Sequence, residues 1–142
     1  VIVDAATSAD ASAMGAIMSD WIDATPWMPR VHTRTEEQGF ARMLVDKGWA
    51  TVVRRAGVPV GFLARDRGEI HALYAAPQGQ GVGKALLDHA KTHAPHLSMF
   101  AFQANVAAQR FYLREGFVET GRSDGTGNDE NLPDIRYEWS AS

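Results

Sequence analysis

Between Ile70 and Ala90 the chain reads IHALYAAPQGQGVGKALLDHA, and this segment constrains the fold more than any other. A run of β-forming residues, Ile70 to Ala75, stops at Pro77, crosses glycines at alternate positions (Gly79, Gly81, Gly83) and enters an apolar pattern of helical period. A strand here feeds a glycine-rich turn directly into a helix N-terminus, and the rest of the chain is arranged around that junction. It also makes an anion site. The first N–H groups of a helix have no partner within it, the helix dipole is positive there, and glycine lets an anion approach the backbone.

The remaining composition narrows the choice. With 142 residues, 45% of them hydrophobic, the chain can bury one core, so residues 1–142 are expected to form a single domain. A net charge of −3 with 22% charged residues offers no broad basic surface, and nucleic-acid binding is not expected. Cysteine is absent, which removes disulfides, a thiolate nucleophile and cysteine zinc sites together and suits a reducing cytoplasm. The first 23 residues have no basic start and no long apolar core, so neither a signal peptide nor a membrane segment is expected. The start at Val1 rather than at methionine leaves room for residues upstream.

In chain order, Val1 to Ala5 has the content of a short strand, and Thr7 or Ser8 can cap a helix whose apolar face is Met14, Ile17, Met18, Trp21 and Ile22, with Asp10, Ser12, Asp20 and Asp23 elsewhere on it. Pro26 and Pro29 break the pattern within a loop holding Trp27, Met28, Arg30 and His32. Trp27 and Met28 read either as a plug beneath the loop or as the wall of a substrate pocket. His32, alone and without metal-type spacing, reads as solvated. Thr33 and Glu36 form a capping box for a second helix, which carries Phe40, Met43 and Leu44 and closes at Gly48. Runs at Trp49 to Arg55, Val58 to Arg65 and Glu69 to Ala76, joined by short turns, predict an antiparallel meander. After the glycine turn and its helix, Leu97 to Phe102 predicts a buried strand parallel to the one before the glycines, as a crossover connection requires. Asn105 caps a helix that Gly116 stops, and Phe117 to Gly121 and Ile135 to Trp139 predict two last strands around a polar, glycine-rich loop.

Two phosphate motifs fail against the glycine turn. A P-loop needs a glycine five residues before Gly83 and a hydroxyl after Lys84, where Gln78 and Ala85 stand. A dinucleotide fingerprint places its last glycine at Lys84 or at Leu86. Gln78-Gly79-Gln80-Gly81-Val82-Gly83 instead resembles the acyl-CoA pyrophosphate loop of the GNAT superfamily of N-acetyltransferases, preceded by a similar strand end (Leu73-Tyr74-Ala75-Ala76-Pro77). Asn105 to Phe117 resembles the family's second signature, a helix ending in Phe-Tyr-x-x-x-Gly-Phe. Two departures stand out: Gln78 replaces the commoner arginine, and Ala75 stands where a β-branched residue is usual.

The resemblance covers essentially the whole chain and implies an α/β (α+β mixed-sheet) acyl-CoA N-acyltransferase fold: a mostly antiparallel sheet of about seven strands flanked by about four helices. It implies acetyl transfer from acetyl-CoA to a primary amine of a small molecule or peptide by direct attack in a ternary complex, without a metal. Backbone amides around Gln78, Gly79, Gln80, Gly81, Val82, Gly83 and Lys84 would then hold the pyrophosphate, Leu73 and Ala75 would pair with the pantetheine arm, and the Ala75 N–H would face the thioester carbonyl. Tyr112 is the expected acid toward the departing thiolate, and Asn105 an expected cofactor contact. Glu69 is the expected base, with His71 two residues along as an acceptor-side alternative; the bland reading of both is solvation. Trp27, Met28, the neighbouring Trp21, Asp23 and Arg30, and the acidic loop with Asp124, Asp129 and Glu130 offer acceptor contacts. A homodimer is a state the family allows. The rival reading is a non-catalytic acyl-CoA sensor on the same fold.

Overall fold

The computed structural model describes residues 1–142. Strand β1 (Asp4–Ala5) leads through a 3-10 turn at Ser8–Asp10 into α1 (Ala11–Ala24), and α2 (Arg34–Asp46) returns across it. The meander β2 (Ala50–Arg55), β3 (Val58–Asp66) and β4 (Glu69–Ala75) follows, then α3 (Val82–His93), β5 (His96–Phe102), α4 (Val106–Arg114), β6 (Val118–Ser123) and β7 (Asp134–Ser140). All seven strands join one mixed sheet in the order β1-β2-β3-β4-β5-β7-β6, and the four helices cover it.

Local signals explain most boundaries. Ala56 and Gly57 both have positive φ, 51° and 78°, the backbone a two-residue hairpin requires between β2 and β3. Thr33 accepts from the Glu36 N–H at 3.1 Å while the Glu36 carboxylate accepts from the Thr33 N–H at 2.9 Å, which starts α2. Asn105 caps α4 by accepting from the Ala108 N–H at 3.1 Å. The first strand is shorter than expected, holding only two residues against Thr51 and Val52. Asp10, expected off the apolar face of the first helix, is nonetheless buried. It is 4% exposed, where Arg54 of β2 donates to both its oxygens (3.0 and 2.6 Å).

The core lies in two layers, one on each side of the sheet. On one side α3 and α4 bury Leu86, Leu87, Ala90 and Tyr112 against Leu97, Met99 and Tyr137. On the other, α1 and α2 bury Met14, Met18, Ala41 and Leu44 against Val52, Phe62 and Ala72. The sheet is weakest in its middle. β4 and β5 run parallel, but their ladder is confined to the strand starts, where Glu69 pairs with Ser98 and the Gly68 carbonyl accepts from the Ser98 N–H at 2.8 Å. Beyond that point the two strands part, and the gap is a property of the central sheet.

Candidate functional site

A cavity of about 1140 Å³ occupies this gap and passes through the sheet. Residues Ile70 to Ala75 of β4 form one wall and Met99 to Phe102 of β5 the other. One half reaches Gln78, Gly79, Gly81, Gly83 and Lys84 at the start of α3, and Asn105 and Tyr112 of α4. The other half opens between α1, α2 and the β6–β7 loop.

In the first half the backbone presents donors. Gly79 and Gly81 both have φ of +79°, a conformation costly for any other residue, and Gly81 is the N-cap of α3 without a side-chain capping bond. The first amide to close an intrahelical bond is that of Ala85, to the Gly81 carbonyl at 3.0 Å, so the N–H groups of Val82, Gly83 and Lys84 precede the ladder. The edge of β4 contributes as well. The Ala76 N–H donates to Val60 of β3 at 2.8 Å, and the alternation of an antiparallel pair then turns the main-chain groups of Ala75 and Leu73 away from β3, toward the gap. Unpaired donors at a helix start next to an unpaired strand edge fit a ligand with phosphates at one end and amides along its arm. The side chains behave differently from the backbone. Val82 is buried in the core, Gln80 bonds Arg55, and the Lys84 ammonium is held by Glu115 (2.9 Å) and Asp88 (3.4 Å), which raises its pKa.

Tyr112 is 8% exposed and packs among Phe111, Phe117 and Tyr137. Its hydroxyl makes no hydrogen bond within the chain, and no fully buried polar side-chain atom is without a partner, so the hydroxyl opens on the cavity. Burial, with a smaller contribution from Tyr74, pushes its pKa well above the ordinary phenol value, and the group stays protonated at neutral pH.

The second half is apolar in the middle and acidic at the mouth. Met18, Trp21, Ile22, Met28 and Tyr74 line it, with Glu36, Glu37, Asp129 and Glu130 around them. Glu37 is 4% exposed. Ser19 donates to it at 2.6 Å and Arg30 donates to both its oxygens at 2.7 and 2.8 Å. Because Arg30 also bonds Asp23, the same guanidinium fastens the α1–α2 loop to both helices. Burial, and then the charges of Glu130 and Glu37, push the Tyr74 phenol up to about 12.

The residues anticipated from the sequence divide between the cavity and its supports. Leu73, Ala75, Gln78, Gly79, Gly81, Gly83, Lys84, Asn105, Tyr112, Met28 and His71 line it. Trp27 does not. It meets Trp21 and Phe102 edge-on at 5.7 and 5.9 Å, the plug rather than the wall. Glu69 also stands outside the lining, at the closed end of the gap. Its carboxylate accepts from the Ser98 hydroxyl and lies 3.7 Å from Arg136. His71 is the extra residue of a bulge, since Ile70 pairs with Arg65 and Ala72 with Ala64, and its ring stacks on Trp49 at 5.1 Å.

His32, which reads as solvated in the sequence, lines the cavity 3.5 Å from Asp129 and 3.8 Å from Glu36; the loop that brings Asp129 to it lies almost 100 residues away. Tyr74 was passed over as a site residue, although its place between Leu73 and Ala75 could have marked it. No group of three or more His, Asp or Glu side chains is arranged to hold a metal.

An open helix start, a free strand edge and a protonated tyrosine on a split central sheet define an acyltransferase of the GNAT class. Residues 23–140 match the family model described as an acetyltransferase (GNAT) domain, and the chain belongs to that family, whose members use acetyl-CoA. It is 34% identical over 122 residues to the peptidyl-lysine N-acetyltransferase YjaB of Escherichia coli K12, covering 82% of each chain. The solution structure of apo YjaB from Escherichia coli superposes with a TM-score of 0.81 at 27% identity, over 99% of this chain and 98% of that one. The fold is also that of yncA from Salmonella typhimurium, a structure with acetyl-CoA: TM-score 0.73, 20% identity, 99% and 94% coverage. The chain is thus an acetyltransferase. None of its helices is long and apolar enough to cross a membrane.

Proposed function

We propose that residues 1–142 act as one acetyltransferase domain that moves an acetyl group from acetyl-CoA to the ε-amine of a peptide lysine, by direct attack in a ternary complex. One observation carries this reading: a continuous cavity joins the donors at the start of α3 to an apolar channel with an acidic mouth. An apolar channel suits the four methylenes of a lysine, and Glu36, Asp129 and Glu130 suit its ammonium on the way in. The name of the Escherichia coli relative supports the same class of acceptor.

Acetyl-CoA supplies an acetyl group activated as a thioester. The amides of Val82, Gly83 and Lys84 hold its pyrophosphate, and Leu73 and Ala75 hold its arm. The Ala75 N–H donates to the carbonyl oxygen as negative charge develops there. Tyr112 carries the proton that the departing sulfur needs. On the acceptor side, an alkyl ammonium must lose a proton before its lone pair can attack. Glu69 is occupied by Ser98 and Arg136, whereas His71 faces the cavity, so His71 takes that proton and Glu69 holds the strand start in place.

The test is thiol release from acetyl-CoA with lysine peptides and a panel of small amines. Turnover concentrated on peptides supports the reading. Turnover on small amines alone removes the peptide acceptor, and tight acetyl-CoA binding without turnover on any amine replaces the enzyme with a sensor.

A further inference from the structure

Beside the main cavity lies a second of about 350 Å³, between β5 and the β6–β7 loop, and the cleft just described does not use it. Its floor is Phe100 and Phe102, which also border the main cavity, so the two spaces flank the same two rings of β5. Its wall is Ser123, Gly127, Asn128 and Asp134. Although these are mostly polar residues, their polar atoms are already engaged with one another. Ser123 donates to Asp134 at 2.6 Å, and Asn128 donates to Asp134 at 3.2 Å and to the Leu132 carbonyl at 2.8 Å. The space therefore presents carbon, and Phe100 is 53% exposed there, with only the Arg136 guanidinium against its ring at 5.1 Å. A large apolar side chain left half-exposed at the edge of a site has something to gain from an apolar ligand.

Position decides what that ligand is. Phe100 and His71 follow the one β4–β5 pair, Glu69 with Ser98, on their two strands, and both border the main cavity. The side pocket thus opens beside the acceptor-side wall of the channel. The acidic groups Asp129 and Glu130 on the same loop border the main cavity instead, so charge and carbon are separated between the two spaces. We infer that this pocket selects the acceptor: it takes a large aliphatic or aromatic side chain adjacent in sequence to the lysine, and Phe100 and Phe102 are specificity-determining residues. This rests on the lysine-peptide reading above and narrows it to lysines with an apolar neighbour.

Gly127 supplies the probe. An added Cβ meets nothing within 4 Å, so Gly127→Ala fits, while Gly127→Leu adds a branched side chain to the pocket's wall. Blocked peptides with one lysine, flanked before or after it by leucine or by glycine, are compared by kcat/KM from thiol release. In the parent and in Gly127→Ala one leucine series exceeds glycine about tenfold, the scale of burying part of a leucine side chain. In Gly127→Leu that ratio falls to near one. A ratio near one in the parent, or a preference that survives in folded Gly127→Leu, overturns the side pocket while leaving lysine acetylation intact. If no lysine peptide turns over but small amines do, both readings fall together.

Discussion

At the scale of single residues, Tyr112 and His71 carry the sharpest consequences. Burial raises the Tyr112 phenol far above its ordinary value, and a raised pKa means that the acidic, protonated form persists as pH increases. The rate with a lysine peptide should therefore keep rising or hold level through pH 10 as more acceptor amine becomes neutral, and a pH–rate profile checks this. An alkaline fall beginning near pH 9 would remove Tyr112 as the acid. Tyr112→Phe should lower kcat by about a hundredfold, the lower end of what a positioned acid contributes, with acetyl-CoA affinity nearly unchanged by titration. Comparing His71→Gln with Glu69→Gln separates the two acceptor-side groups. The first should cost about a hundredfold in kcat; the second should leave kcat nearly unchanged and lower stability, because the carboxylate charge that the Ser98 hydroxyl and Arg136 meet is removed. The sequence could put Glu69 and His71 on one strand but not see that a bulge and a cross-strand arginine give them different surroundings. Such pairings depend on residues dozens of positions away.

Secondary elements were far more legible, because their signals are local. The capping box at Thr33 and Glu36, the Ala56-Gly57 turn, the Asn105 cap and the Gly116 stop each act within a few residues and mark their boundaries in the sequence. The parting of β4 and β5 was not legible, since both strands have ordinary strand composition and only their shared register shows where pairing ends. One element-scale contact controls the donor half of the site. A Cβ added at Gly61 of β3 would lie 2.5 Å from Val82 Cγ1 and 2.9 Å from the Tyr74 carbonyl oxygen, so this glycine lets the start of α3 sit directly on the sheet. Gly61→Ala must push Val82 outward and with it the three amides that precede the helix ladder. The expected result is a loss of about 1–3 kcal/mol in urea unfolding, the range for overpacking a tight contact, together with weaker acetyl-CoA binding by titration. A stable variant with unchanged acetyl-CoA affinity would show that α3 can shift without disturbing its N-terminus.

Across the whole molecule, two layers of core grip a sheet that is open in its middle, so the outer elements must be fastened without help from a continuous ladder. Arg54 performs this at the β1 edge. It reaches both oxygens of the buried Asp10 and, at 3.0 Å, Asp4, tying the entry to α1 onto β2. The hydrogen bonds from Arg54, ahead of the opposing effect of burial, hold the Asp10 carboxyl below its ordinary value. A carboxylate whose folded-state pKa is depressed binds protons more readily when unfolded, so its contribution is complete above the unfolded value of about 4 and fades as pH falls through the folded one. Urea unfolding at a series of pH values should show Asp10→Asn less stable than the parent by about 1–3 kcal/mol at pH 7, the cost of leaving a charge-assisted bond unmade. The two curves should converge below pH 4. A gap of constant size down to pH 2 would mean that Asp10 acts by shape and not by charge. In that case the fastening of α1, and through α1 the acceptor wall formed by Met18, Trp21 and Ile22, would be independent of acid.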